Sequence, residues 1–116
     1  MNNSGLILLV DDTLANLEVM SEALENAGYE VATAIDGERA LKRVQTYPPD
    51  LILLDVKMPG MDGFEICRRL KSEPATANIP VIFMTVLTDT ESKLKGFSVG
   101  AVDYITVPFQ TEEVLA

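Results

Sequence analysis

Three short apolar runs constrain this chain more than any other feature. They are Leu6–Val10 (LILLV), Leu51–Leu54 (LILL) and the PVIFMT stretch at Pro80–Thr85. None alternates with polar residues, so each reads as a strand buried on both faces, as in a parallel sheet covered by helices. Each also runs into an oxygen-bearing side chain: Asp11 and Asp12 after the first, Asp55 after the second, and Thr85 at the end of the third. All carboxyl ends of a parallel sheet lie on one edge, where open α/β sheets hold their ligand chemistry, so these four residues are predicted to converge. After Asp55, Met58–Gly63 (MPGMDG) cannot prolong the strand, because proline lacks the N–H donor and glycine favours turns.

Between the runs the period changes to a helical one. Leu14, Leu17, Met20 or Ser21, Leu24 and Ala27 recur on one face, with Thr13 as the predicted cap and Gly28 as the stop. Tyr29–Ala34 alternates weakly and reads as a strand. Asp36 and Gly37 open a second helix with Ala40, Leu41 and Val44 inward, which ends before Pro48 and Pro49. Phe64–Glu73 is a third helix stopped by Pro74, followed by a polar loop at Ala75–Asn78. Thr88 or Asp89 caps a fourth, with Leu94 and Phe97 inward and Gly100 closing it. Tyr104–Val107 is a fifth strand before Pro108, and Gln110 or Thr111 starts a last helix.

Strand and helix therefore alternate five times. The predicted fold is α/β: a doubly wound five-stranded parallel sheet in a three-layer sandwich with right-handed crossovers, forming one domain over residues 1–116. The last helix has only about six residues, short for covering its side of a sheet, and Glu112–Leu115 reads as the opening of a longer amphipathic helix. The expectation is a truncated fifth helix.

Charge and composition narrow the function. Eighteen acids against nine Lys and Arg, a net charge of −9, argue against nucleic acid as a direct partner, because phosphate backbones are held by cations. The chain has no histidine, which removes the commonest general base and any Ser/His/Asp or Cys/His nucleophile. Cys67 is the single cysteine and reads as a reduced core thiol, in keeping with a cytoplasmic location. The start carries no signal-peptide pattern, and no run is long enough to cross a bilayer, so no membrane role is expected.

Three carboxylates in one crevice repel one another, and a hard divalent cation relieves this through oxygen ligands. Mg²⁺, or Mn²⁺ in its place, suits a few carboxylates shared with water and phosphate. A carboxylate is also a competent nucleophile towards a phosphoryl group, giving an acyl phosphate, and the Thr85 hydroxyl can then donate to a phosphoryl oxygen. Each residue alone has a plainer reading. Asp11 and Asp12 fit a turn or helix cap, Asp55 a strand-end turn, Thr85 a β-branched strand residue, Asp62 with Gly63 a turn and cap, and Tyr104 a partly buried core ring. Joint occurrence at matching strand ends is what favours the site.

The segments LILLVDD at Leu6–Asp12, DLILLDVKMPGMDG at Asp50–Gly63, PVIFMT at Pro80–Thr85, GAVDYI at Gly100–Ile105 and PF at Pro108–Phe109 resemble the receiver domain of two-component response regulators. The resemblance extends to the start of the last helix and implies a flavodoxin-like fold. It implies that Asp55 is the phosphoacceptor, that Asp11, Asp12 and Asp55 with the backbone carbonyl of Lys57 hold Mg²⁺, and that Thr85 and Tyr104 form the switch pair. It also implies a sensor histidine kinase or phosphotransfer protein as donor, and an output domain or partner protein as target. Receivers often pair through the surface of the fourth helix, fifth strand and fifth helix, which makes a homodimer an expectation too.

Two positions depart from the family pattern. Val107 stands where a Lys usually precedes Pro-Phe, and Val86 where a small residue follows the switch Thr. These departures support one alternative, a receiver-like interaction module that works without phosphorylation. A second rival, a metal-dependent phosphatase with an aspartyl nucleophile, needs an acid two residues after the nucleophile, where this chain has Lys57. The chain is therefore not expected to be an enzyme beyond self-phosphorylation and autodephosphorylation on Asp55.

Overall fold

A computed structural model describes residues 5–55, 60–85 and 103–106. Its elements are β1 (Leu6–Val10), α1 (Leu14–Asn26), β2 (Glu30–Ala34), α2 (Gly37–Thr46), β3 (Leu51–Asp55), α3 (Gly63–Ser72), β4 (Val81–Thr85) and β5 (Asp103–Thr106). The five strands form one sheet in the order β2-β1-β3-β4-β5, and every pairing is parallel. The predicted sheet is thus the observed one. The helices expected from Thr88 to Gly100 and from Gln110 or Thr111 lie outside the described residues, as do Lys57, Val86 and Val107.

The uninterrupted apolar runs follow from burial on both faces. Alternate residues of the central strands enter two separate clusters. Leu8, Val10, Ile52, Leu54, Val81 and Phe83 pack with Ala40 and Val44 of α2 and with Phe64, Ile66, Cys67 and Leu70 of α3. Ile7, Leu9, Leu53, Ile82 and Met84 pack on the other face with Leu17, Met20 and Leu24 of α1. The sheet is the middle layer of three, and Phe83 meets the Phe64 ring at a centroid distance of 5.1 Å. Full burial of each such side chain contributes roughly 1.5–3 kcal/mol, and β1, β3 and β4 turn apolar residues to both layers.

Helix ends match the sequence closely. Asp36 Oδ1 accepts from Arg39 N–H at 2.8 Å to cap α2, and Asp62 Oδ1 accepts from Glu65 N–H at 2.9 Å to cap α3. Asp62 is therefore the cap and turn residue expected. At the end of α1, Gly28 has φ 100° while its N–H donates to Glu25 O and that of Tyr29 to Leu24 O, a Schellman stop. Lys71 Nζ donates to the carbonyls of Ala77 (3.0 Å) and Ile79 (2.7 Å), holding the turn that leads into β4.

Two expectations are corrected. Leu14 shares the helical period of α1, yet it is 67% exposed, because it is the first residue of the helix and stands beyond the end of the sheet that Leu17 covers. Thr13 occupies the cap position but makes no side-chain cap bond. Other differences are single-residue shifts, such as β5 at Asp103–Thr106 rather than Tyr104–Val107.

Cys67 is fully buried in the α2/α3 cluster, and burial raises its thiol above the ordinary value against the opposing charges of Lys71 and Arg68. A thiol raised in the folded state keeps its proton where the unfolded chain has lost it. Its contribution to stability is complete below the unfolded value of about 8.5 and declines as pH rises from there, by at most about 1.4 kcal/mol per pH unit. Urea denaturation at stepped pH is expected to show a steeper alkaline decline in this protein than in Cys67→Ala.

Candidate metal and phosphoacceptor site

The strand order reverses beside β1: the chain goes from β1 out to β2 on one side, then returns to β3 on the other. Such a switch point opens a crevice at the carboxyl edge. Val10 pairs with Leu54 across it, so the residues that follow, Asp11 and Asp55, emerge side by side. One carboxylate oxygen from each of Asp11, Asp12 and Asp55 lies within 4.8 Å of the other two. Met84 pairs with Asp55, which places Thr85 one residue further along the same edge, and Thr85 pairs with Thr106. Tyr104 pairs with Phe83, two residues back from Thr85 on the adjoining strand.

The three acids differ in environment: Asp11 is buried, Asp55 half-buried and Asp12 exposed. Asp11 is held by two donors, Thr13 N–H to Oδ1 at 2.9 Å and Asn16 Nδ2 to Oδ2 at 3.3 Å. The first is an Asx turn, so the plainer reading of Asp11 as a turn acid is also true: the turn orients the carboxylate towards the crevice. Asn16 was not singled out in the sequence. Its signal is its position in the first turn of α1, from which a side chain reaches back over the helix start.

No ion pair to Asp11 or Asp12 occurs among the described residues, where the cations that pair are Arg39, Arg68 and Arg69. A buried carboxylate beside two others, without a cationic side chain on Asp11 or Asp12, is a donor set of hard oxygens suited to Mg²⁺. The acids can hold such an ion, with Asp12 open to water and Asp55 at the rim.

Comparison with known proteins agrees with this geometry. A model of the response regulator receiver domain matches residues 7–116. The chain belongs to the response regulator receiver family. This receiver is 44% identical over 110 residues to the DNA-binding dual master transcriptional regulator RpaA of Synechocystis sp., a match that covers 95% of this chain and 46% of RpaA. It is 47% identical over 105 residues to the response regulator PleD of Caulobacter vibrioides, covering 90% of this chain and 23% of PleD. The receiver thus spans half or less of the length of these curated relatives. Among solved structures, the chemotaxis protein CheY4 of Vibrio cholerae superposes with a TM-score of 0.90 at 37% identity, over 97% of this chain and 93% of that one. The receiver is a signal-transduction module of two-component systems.

If the acids form a cation site, Mg²⁺ at about ten times its Kd raises stability by about 1.4 kcal/mol, which is roughly 4–6 °C in Tm for a domain of this size. In Asp12→Asn the metal-free Tm is expected to rise, as one repelling charge is gone, and the Mg²⁺ increment to shrink. Differential scanning fluorimetry with EDTA and with Mg²⁺ measures both.

Proposed function

We propose that this receiver accepts a phosphoryl group on Asp55 and changes its surface in response, passing a signal from a kinase to an output. The observation that carries this reading is the convergence of three carboxylates at the switch point, with Asp55 at the crevice rim and the Thr85 position one residue beyond its pairing partner. A phosphohistidine on a sensor kinase or phosphotransfer protein is the donor, which fits a chain with no histidine of its own. An Asp55 carboxylate oxygen attacks phosphorus, an O–P bond forms, and the P–N bond breaks with its electron pair returning to the imidazole. The product is an acyl phosphate.

Asp11, Asp12, Asp55 and the backbone carbonyl of Lys57 are the ligands we assign to Mg²⁺, or Mn²⁺, which when bound offsets negative charge on the transferring oxygens. Asn16 and the Thr13 N–H orient Asp11. Thr85 is assigned to hydrogen-bond the new phosphoryl group, and Tyr104 to move with it as the switch aromatic. We read residues 1–116 as one receiver domain, acting in the cytoplasm, with the output borne by a partner protein or an attached domain, as the DNA-binding RpaA exemplifies for its own case. Pairing of two receivers is part of the same proposal.

Incubation with acetyl phosphate and Mg²⁺ is expected to add one phosphoryl mass to the intact protein, and neither EDTA-treated protein nor Asp55→Asn should gain it. Addition that persists in Asp55→Asn overturns the assignment of Asp55.

Val107 favours a second reading, the phosphorylation-independent module, because the usual Lys supplies a point charge to the phosphoryl group that a valine cannot. A ligand shifts a two-state switch only by its differential affinity for the two states, so loss of an ion pair weakens coupling before it weakens metal binding. Val107→Lys is therefore expected to enlarge the amide chemical-shift change on phosphorylation while leaving Mg²⁺ affinity within about twofold, a small interval against the 1.4 kcal/mol of a tenfold change. Equal shift changes in the two proteins would refute the coupling argument.

A further inference from the structure

The sheet edge farthest from β5 carries a feature that the acid site does not use. β2 is flanked by β1 alone. Glu30 N–H donates to Gly5 O at 3.0 Å and Ala34 O accepts from Asp11 N–H at 3.1 Å, so Glu30 and Ala34 turn their backbone groups towards β1. By the alternation of a parallel ladder, the N–H and C=O groups of Val31 and Thr33 point away from the sheet. Above this row, α2 projects Arg39, Lys42 and Arg43, three of the nine cations in a chain with eighteen acids. Together with Thr33, Thr46 and Tyr47 they line an open groove of about 380 Å³. An apolar pocket of about 210 Å³, walled by Leu6, Leu8, Ala32 and Pro49, shares Arg43 and Tyr47 with that groove.

These cations are little committed within the fold. On α3, Glu65 engages both Arg68 and Arg69, and their charges and hydrogen bonds hold its carboxyl below the ordinary value. On α2, Arg39 makes one loose contact with Asp36 at 3.7 Å, and Lys42 and Arg43 form no ion pair among the described residues. Tyr47, at the junction of groove and pocket, is 66% exposed. Charge beside an edge strand can serve simply to discourage pairing with other chains. That defensive role needs neither an apolar pocket nor an exposed ring beside it.

We propose that the β2–α2 groove docks an extended acidic peptide of a partner protein. The peptide adds as a strand to β2 through the outward groups of Val31 and Thr33. Its side chains alternate between faces, so residues two apart face α2. Acidic side chains there meet Arg39, Lys42 and Arg43, and one apolar side chain enters the pocket beside Tyr47. Charge complementarity selects this occupant: the net charge of −9 disfavours nucleic acid, whereas a short acidic strand interacts chiefly with the local cations.

The probe is a fluorescein-labelled eight-residue peptide in which threonine alternates with glutamate and a single leucine. Anisotropy titration of the whole chain, without phosphodonor, is expected to saturate, to weaken with added salt, and to slow amide exchange at Val31 and Thr33. The exposed triple variant R39Q/K42Q/R43Q, checked for an unchanged Tm, should lose at least tenfold in affinity, and the lysine-for-glutamate peptide should not bind. Four results overturn the proposal: no saturation, equal affinity in the triple variant, binding without slowed exchange at Val31 and Thr33, or equal binding of a scrambled peptide. Self-association in place of peptide binding, read by sedimentation, also overturns it.

Discussion

Because β3 is paired on both sides and covered on both faces, its apolar residues are satisfied in only one arrangement, and that arrangement decides where Asp55 goes. Ile52, Leu53 and Leu54 are fully buried, while Asp55, the next residue, is half-buried at the edge. A slip of one residue would carry the carboxylate into the core or a leucine into water, and would send every side chain to the opposite face. β1 is under the same constraint, with Leu9 and Val10 fully buried just before Asp11. The proximity of the acids is thus a product of hydrophobic register rather than of any attraction between them. It persists against their mutual repulsion because each is covalently continuous with a buried strand.

The fold was legible because strands and helices carry different apolar patterns. Unbroken apolar runs marked the strands, and glycine, proline and aspartate marked the ends, as Asp36, Asp62 and Gly28 show. The clustering of the three acids was legible in outline for a topological reason, since parallel strands bring their carboxyl ends together. What remained hidden depended on neighbours remote in sequence or on the exact ends of elements. Leu14 has the right period but no sheet beneath it, and periodicity cannot tell where a sheet stops. Asn16 carries no motif of its own; its role exists only because the Asp11 side chain turns back over the first turn of α1. The α2 cations acquire their edge strand and apolar pocket only through the fold, and no sequence pattern marks them.

A close contact ties α2 to the turn that precedes α3. A Cβ placed on Gly37 would lie 3.0 Å from Met61 Sδ and 3.1 Å from Ile66 Cδ1, so the start of α2 is seated directly on α3 and its preceding turn. Gly60, next to Met61, has φ 77°, a conformation that glycine adopts at little cost. Glycine thus serves both within the turn, at Gly60, and against it, at Gly37. Interiors packed this closely transmit displacement instead of absorbing it.

The strand-end acids also bear on the chain before it folds. Runs such as LILLV, LILL and VIFM are strongly apolar and uncharged, the composition that pairs between molecules when exposed. β1 cannot be shielded until β3 reaches it, since Ile7 pairs with Leu51, and β3 in turn waits for β4. During that interval Asp11 and Asp12 follow the first run, while Asp50 and Asp55 bracket the second. Charges flanking such a segment are the usual guard against aggregation. Neutralising these positions therefore removes a safeguard of nascent-chain solubility as well as carboxylates, and a weak phenotype in a cell reports on soluble yield as much as on chemistry.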